Sequence, residues 1–221
     1  MRARSVDLGG HPGLAIVPGG ARALLVLAHG AGAGMRHAFM TDIADALAQR
    51  AIATVRWEFP YMARGSRRPD SPAIAEAAVR EVWAAVAARF TGLALFAGGK
   101  SFGGRMTSRA HAAAPLPGAR GLVFLGFPLH PASAPATTRA EHLAATTGPL
   151  LFLQGTRDEL AELRLLRPIV RRLGPRSTLH VVDGADHGFD VLVRSGRTRA
   201  DVLAELAETI AEFARRTAAD L

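Results

Sequence analysis

The stretch that decides the fold is residues 93–104, LALFAGGKSFGG. Its apolar first half predicts a buried strand, and its second half contains GKSFG at residues 99–103, which is a G-x-S-x-G pattern. A serine on a sharp strand-to-helix turn needs neighbours without a Cβ two positions away on either side. The pattern therefore predicts that Ser101 presents its hydroxyl above the carboxyl edge of a sheet. The alternative is a glycine-rich turn whose serine caps the following helix.

Short apolar runs alternate with helical patterns on both sides of this stretch. The predicted strands cover residues 4–8, 13–17, 23–28, 51–56, 93–97, 121–125, 150–153 and 177–182. Helices are predicted at residues 38–50, 72–90, from the turn at 98–104 to about 113, at 159–173 and at 197–214. This alternation is typical of βαβ units, so we predict an α/β fold with a mostly parallel, doubly wound sheet and helices on both faces. Residues 128–148 leave room for little more than a short helix, which predicts a minimal lid or none.

Length and composition limit the classes of protein to consider. A chain of 221 residues can form one core, and we predict a single domain over residues 1–221. The net charge is +8, but the positive residues are dispersed and all except Lys100 are arginines, which argues against a nucleic-acid-binding stripe. Cysteine is absent, which excludes disulfides and a thiolate nucleophile. Without a long apolar run or a signal-peptide pattern, we expect a cytoplasmic protein with no membrane contact.

A serine hydroxyl is a poor nucleophile until an imidazole removes its proton, so the chain should supply a base and an acid. His187 lies in GADHGF, between the last predicted strand and the last helix, and is the candidate base. Asp158 lies in GTRDEL after the strand LLFLQ and is the candidate acid, because the order serine, acid, histidine is the one expected for this kind of sheet. The alternatives for the acid are Glu159, Asp183 and Asp186.

Negative charge that develops on a carbonyl oxygen needs backbone donors. The N–H of Phe102, at the start of a predicted helix, is the first candidate for such an oxyanion hole. The second donor is expected from HGAGAG at residues 29–34, where Ala31 or, as the alternative, Gly32 follows a buried strand. A phosphate-binding loop is the competing interpretation of this segment, but the lysine and the hydroxyl residue of that motif are missing.

Six blocks together resemble the small lidless α/β-hydrolases of the dienelactone-hydrolase-like group: HGAGAGMRHAFM, WEFPYM, GGKSFGGRM, GFPLHP, LFLQGTRDEL and GADHGF. They span most of the chain and look most like bacterial relatives of the testis-expressed and NSL-complex-subunit proteins. The resemblance implies an α/β-hydrolase fold. Dienelactone hydrolases use a cysteine nucleophile, whereas this chain has Ser101, so their lactone specificity is not carried over.

The resemblance also implies that residues 57–62 and 127–130 form loops at the active edge of the sheet. We therefore predict that Phe59, Tyr61 and His130 line a substrate cleft. The alternative is that these rings only anchor the loops on the core. A cationic rim that attracts anionic esters is a further hypothesis, with a solvated arginine-rich surface as its alternative. The residues of that rim would be Lys100, Arg105, Arg56, Arg67 and Arg68.

The function predicted from the sequence is a serine hydrolase for a carboxylic ester or thioester of a small molecule, acting through an acyl-enzyme and needing neither metal nor cofactor. Two alternatives remain open. One is a noncatalytic binding or scaffold protein that retains the hydrolase fold. The other is a peptidase that uses the same three residues.

Overall fold

The computed structural model describes residues 2–219. Its strands are β1 (Arg4–Asp7), β2 (Pro12–Ile16), β3 (Ala23–Ala28), β4 (Ile52–Trp57), β5 (Ala94–Lys100), β6 (Leu122–Leu125), β7 (Leu150–Gly155) and β8 (Ser177–Val182). Its α-helices are α1 (Ala38–Ala48), α2 (Pro60–Ala63), α3 (Pro72–Arg89), α4 (Phe102–Ala113), α5 (Leu163–Leu173) and α6 (Arg199–Ala219). Short 3-10 helices lie at Thr138–Ala145, Gly174–Arg176 and Val193–Ser195.

All the strands form one sheet in the order β1-β2-β4-β3-β5-β6-β7-β8. The strands from β3 to β8 are parallel, and the hairpin β1–β2 is attached antiparallel to β4. From β3 the chain adds β4 on one side and then crosses back to add β5 on the other. The strand order therefore reverses between β3 and β5, and the crevice outside their carboxyl ends is where open α/β sheets bind ligands.

Helices cover both faces of the sheet, as the sequence predicts. One core lies under α3, α4 and α5, and the other lies under α1 and α6. Successive residues of a strand point to opposite faces, so Leu24 and Val26 belong to the first core, whereas Leu25 and Leu27 belong to the second. This arrangement explains why the predicted strands are continuous apolar runs.

Two predicted boundaries near the carboxyl edge move by three residues or more. Strand β5 continues through Lys100, past the predicted end at residue 97, because Gly98 and Gly99 stay paired with β3 and β6. The two glycines end the apolar run without ending the strand. Helix α5 begins at Leu163 rather than at residue 159. The skipped residues form a turn in which the N–H of Leu160 donates to the Asp158 carboxylate at 2.8 Å.

Two further expectations concern the lid and the membrane. Between β6 and β7 the chain forms the 3-10 helix Thr138–Ala145, which agrees with the prediction of a short helix at most. Within residues 2–219, none of the helices combines the length and the apolar composition needed to cross a bilayer. The cytoplasmic location and the single domain stay predictions.

Candidate active site

Ser101 occupies the turn between β5 and α4 with φ 50° and ψ −114°, in a region that residues other than glycine rarely adopt. A Cβ atom on Gly99 would lie 2.5 Å from the carbonyl oxygen of Ala28, and one on Gly103 would lie 2.4 Å from the same oxygen. The backbone of the turn therefore packs directly against the end of β3. This contact explains why glycine is required on both sides of the serine.

The structure brings Ser101, His187 and Asp158 together. His187 lies in the loop after β8, and its Nε2 is 2.8 Å from the Ser101 Oγ. Its Nδ1 is 2.7 Å from the Oδ2 of Asp158, which follows β7. Because a carboxylate can only accept a hydrogen bond, it places the imidazole proton on Nδ1 and leaves Nε2 free to accept from the serine.

The Asp158 side chain is fully buried and held by two donors besides His187. The N–H of Leu160 donates to Oδ1 at 2.8 Å, and the Gln154 amide donates to Oδ2. Gln154 is itself buried in β7, and its Oε1 accepts from the N–H of Phe127 at 3.0 Å. Sequence reasoning missed Gln154, although a polar residue at the end of the apolar run LLFLQ was a usable signal.

The three alternative acids lie elsewhere. Asp186 accepts from the N–H groups of Gly188 and Asp190 at 2.8 and 3.0 Å, and so shapes the loop that carries His187. Asp183 accepts a long hydrogen bond of 3.4 Å from the Thr156 hydroxyl. Glu159 is exposed. Among the described residues, Asp158 is the carboxylate that contacts the His187 ring.

Lys100 is almost completely buried beside Ser101, and its role was not predicted. Its Nζ donates to the backbone carbonyl of His187 at 2.6 Å and lies 5.8 and 5.5 Å from the ring centres of Phe39 and Phe189. Burial lowers the Lys100 pKa to about 8, although the negative charges of Asp158 and Asp186 act in the opposite direction. The hydrogen bond ties the loop of His187 to the end of β5.

Of the five predicted rim residues, Lys100 lines the cavity beside Ser101 and the four arginines do not. Lys100 is buried, and Arg56 is only 2% exposed. Arg56 donates to the carbonyl of Met35 and to the Thr41 hydroxyl, at 3.0 and 2.8 Å. At the mouth of the cavity, Arg199 is paired with Asp42 and Asp190 at 3.2 and 2.6 Å.

The cavity beside Ser101 has a volume of about 340 Å³. Ser101 and His187 line it together with several apolar residues. Those apolar residues are Ala31, Ala33, Phe39, Met40 and Leu160. The predicted oxyanion donors are both near this space. Phe102 is the first residue of α4, where a backbone N–H has no partner within the helix, and the Ala31 N–H donates to no group within residues 2–219.

Phe59, Tyr61 and His130 do not line this cavity, which corrects the prediction for all three. They are 0%, 1% and 1% exposed. The rings of Phe59 and Tyr61 pack on Phe102, with centres 5.3 and 6.3 Å apart, because the short helix α2 turns them inward. Burial, the main cause, raises the pKa of Tyr61 to about 12. The N–H of His130 donates to the Leu160 carbonyl at 3.2 Å, so this loop is also anchored.

Residues 21–215 match the family model described as alpha/beta hydrolase domain. The chain belongs to this family. Membership supports a hydrolase activity and agrees with the order of the strands and the turn at Ser101. The α/β-hydrolase fold that the sequence resemblance implies is thereby confirmed.

Solved structures similar to this alpha/beta hydrolase cover nearly all of it. A dienelactone hydrolase from Anabaena variabilis is 20% identical, with a TM-score of 0.74 over 96% of this chain and 94% of that one. A lidless serine hydrolase from Xanthomonas campestris is 20% identical, with a TM-score of 0.73 over 97% and 94%. Est1E from Butyrivibrio proteoclasticus, solved with ferulic acid, is 16% identical, with a TM-score of 0.73 over 98% and 100%. At these identities the likeness shows the fold.

Proposed function

We propose that this alpha/beta hydrolase cleaves a carboxylic ester or thioester of a small molecule through a covalent intermediate on Ser101. The observation that carries the proposal is the continuous hydrogen-bonded chain from the Ser101 Oγ through His187 to the buried Asp158, with distances of 2.8 and 2.7 Å. Such a chain activates a hydroxyl, because the imidazole accepts its proton and the carboxylate stabilises the imidazolium that results.

In the first half of the reaction, the Ser101 Oγ attacks the carbonyl carbon while its proton passes to the Nε2 of His187. The oxygen of the tetrahedral intermediate becomes negative and accepts from the N–H groups of Phe102 and Ala31. The carbon–oxygen or carbon–sulfur bond to the leaving group then breaks. The leaving alcohol or thiol takes the proton from Nε2, and the acyl group stays on Ser101.

In the second half, a water molecule attacks the acyl carbon and gives one proton to the Nε2 of His187. The same two N–H groups accept the second oxyanion. When the intermediate breaks down, the carboxylic acid leaves and Ser101 regains its proton from His187. Asp158 stays ionised throughout and holds the ring in the required tautomer.

The size and lining of the cavity support a small acyl group. A space of about 340 Å³ is near the lower end of ligand pockets, and its apolar residues suit a short aliphatic or aromatic chain. Between β6 and β7 the described chain has only the short 3-10 helix, so the leaving group can extend into solvent. The ferulic acid bound to Est1E makes aromatic acid esters a useful part of a substrate panel.

The likeness to relatives of the testis-expressed and NSL-complex-subunit proteins stays a prediction, and with it the noncatalytic alternative. A scaffold protein would not need the strained turn at Ser101 or the buried Asp158, whereas catalysis requires both. A peptidase would use the same residues, so a panel of matched ester, thioester and amide substrates separates these activities.

The decisive experiment is labelling with a fluorophosphonate, which reacts covalently with activated serines. We expect one adduct, at Ser101, located by mass spectrometry of digested protein. Ser101→Ala should abolish it, and Ser108→Ala is the matched control because Ser108 also contacts a histidine, at 2.8 Å. Folded wild-type protein that stays unlabelled and fails to hydrolyse the whole panel would overturn the proposal in favour of a noncatalytic protein.

A further inference from the structure

The loop between β3 and α1, which carries Ala31, is held at its start by the side chain of His29. This imidazole is fully buried, with its Nδ1 2.8 Å from the carbonyl oxygen of Gly30. Its Nε2 lies 3.1 Å from the backbone nitrogen of Phe59, which donates to it. A nitrogen that accepts from an N–H carries no proton of its own. Because a carbonyl oxygen can only accept, the His29 Nδ1 carries a proton that is directed at Gly30, and the Glu58 Oε2 also lies 3.3 Å from Nε2.

The direction of one carbonyl fixes the direction of the next N–H. The Gly30 carbonyl and the Ala31 N–H belong to the same peptide plane and point in opposite directions across a trans bond. Because His29 holds the carbonyl oxygen on the core side, the N–H is turned away from the core. Ala31 lines the cavity with Ser101, and its N–H has no partner within residues 2–219.

We propose that His29 is a positioning residue that fixes the Gly30–Ala31 peptide so that the Ala31 N–H faces the reacting carbonyl oxygen. The inference rests on the proposed function, in which this N–H stabilises the tetrahedral intermediate. Besides His29, the Gly30 carbonyl accepts a long hydrogen bond of 3.4 Å from the Ala33 N–H, so without Nδ1 the peptide is held only weakly and can rotate to present its carbonyl oxygen to the site. A carbonyl there would repel the negative charge instead of stabilising it.

The two ends of the loop are attached to adjacent residues after β4, the far end to Glu58 and the start to Phe59. The Glu58 Oε1 accepts from the N–H of Met35 at 3.1 Å, while the N–H of Phe59 donates to His29. A Cβ atom on Gly34 would lie 2.7 Å from the same carboxylate oxygen, so the loop packs closely on Glu58. Phe59, whose ring does not reach the cavity, contributes to the site through its backbone.

Two variants separate positioning from packing. In His29→Asn the amide lies near the place of Nδ1 and can still donate to the Gly30 carbonyl. In His29→Gln it reaches the place of Nε2 and serves Phe59 instead. We expect kcat of the asparagine variant within about 3-fold of wild type, and kcat of the glutamine variant lower by roughly 100-fold with KM nearly unchanged, as for loss of an oxyanion donor.

Affinity for a trifluoromethyl ketone, which forms a tetrahedral oxyanion on a reactive serine, should fall in the glutamine variant by a similar factor. Equal losses of kcat in both variants, in proportion to their melting temperatures, would show packing alone and overturn the inference. Wild-type turnover retained by the glutamine variant would also overturn it.

The tautomer can be tested without activity. The ¹⁵N NMR shifts of the His29 ring should show a protonated Nδ1 and an unprotonated Nε2, and the reverse assignment would contradict the inference whether or not the protein is a hydrolase. An inactive wild-type enzyme, by contrast, would count against the proposed function.

Discussion

Ser101 and Ser108 each form a hydrogen bond of 2.8 Å with the Nε2 of a histidine. The two pairs differ in the groups that contact the histidine and in the backbone that carries the serine. Behind His187 lies the buried carboxylate of Asp158. His142, the partner of Ser108, contacts no carboxylate among the described residues. Burial is the main reason that the His142 pKa falls to about 4, and the charges of Arg109 and Arg105 lower it further.

The backbone around the two serines differs as well. Ser101 lies on the turn between β5 and α4, whereas Ser108 lies inside α4 and is completely buried. The Ser108 hydroxyl is 2.9 Å from the Arg105 carbonyl and donates its one proton there, so it accepts from His142. A serine–histidine hydrogen bond is therefore not sufficient for a nucleophile. The carboxylate, the strained turn, the free N–H groups and the cavity are the features that favour Ser101 as the proposed nucleophile.

The largest expected effect tests the two histidines against each other. His187→Ala removes the proposed base, so kcat/KM for a reactive ester should fall by roughly 10⁴-fold or more, the loss expected when a triad loses its histidine. The kcat/KM of His142→Ala should stay within about 3-fold of wild type, because His142 contacts no carboxylate among the described residues and its partner Ser108 lies inside α4. Steady-state hydrolysis of one ester by both variants is the measurement. Similar losses in the two variants would remove the distinction between the pairs.

The next effect tests the backbone at the two serines. Gly103→Ala would place a Cβ 2.4 Å from the Ala28 carbonyl oxygen, whereas the residue two positions after Ser108 is already an alanine, Ala110. We expect the free energy of unfolding to fall by about 3 kcal/mol in this variant. Gly19→Ala is the control, since it has open space and no positive φ, and should change it by less than about 0.5 kcal/mol. Urea titration of both variants is the measurement. If Gly103→Ala is as stable as Gly19→Ala, the close contact with the Ala28 carbonyl is contradicted.

The smallest effect concerns Lys100, the buried cation beside the loop of His187. Lys100 is buried with its pKa lowered from 10.5 to about 8, so above pH 8 the unfolded chain binds this proton more strongly than the folded one. Stability therefore rises with pH, by about 1 kcal/mol between pH 7 and pH 9. Lys100→Met should lack this increment. Urea midpoints of both proteins across that range give the difference, and parallel curves would show that Lys100 is not buried as a cation.

The pattern of apolar residues was enough to predict β3 and β8 with their observed bounds. The order of motifs along the chain was enough to select Ser101, Asp158 and His187. These features depend on local patterns and on the rule that parallel strands end at one edge of the sheet. The hydrogen bonds of Gln154, Lys100 and His29 could not be predicted in the same way. Each depends on how closely two loops distant in sequence approach each other, which no spacing within the chain encodes.

The errors at Phe59 and Tyr61 have a different cause. The resemblance correctly suggested that their segment lies at the sheet edge, but not which way its rings point. Pro60 begins the short helix α2, and this single turn directs both rings into the core under α4. An aromatic residue near an active edge is thus ambiguous until the path of the backbone is known.

The exposed segment from residue 131 to residue 135, just before the 3-10 helix, separates the chain into two unequal parts. Ser101, Ala31 and His29 belong to the first part, whereas Asp158 and His187 belong to the second. If the chain were cut there, neither fragment would hold the whole proposed triad, so we expect that neither would turn over an ester alone. Hydrolysis of a chromogenic ester would then show that the two fragments had assembled, with β6 paired to β7. The protein is therefore suited to a split-enzyme reporter.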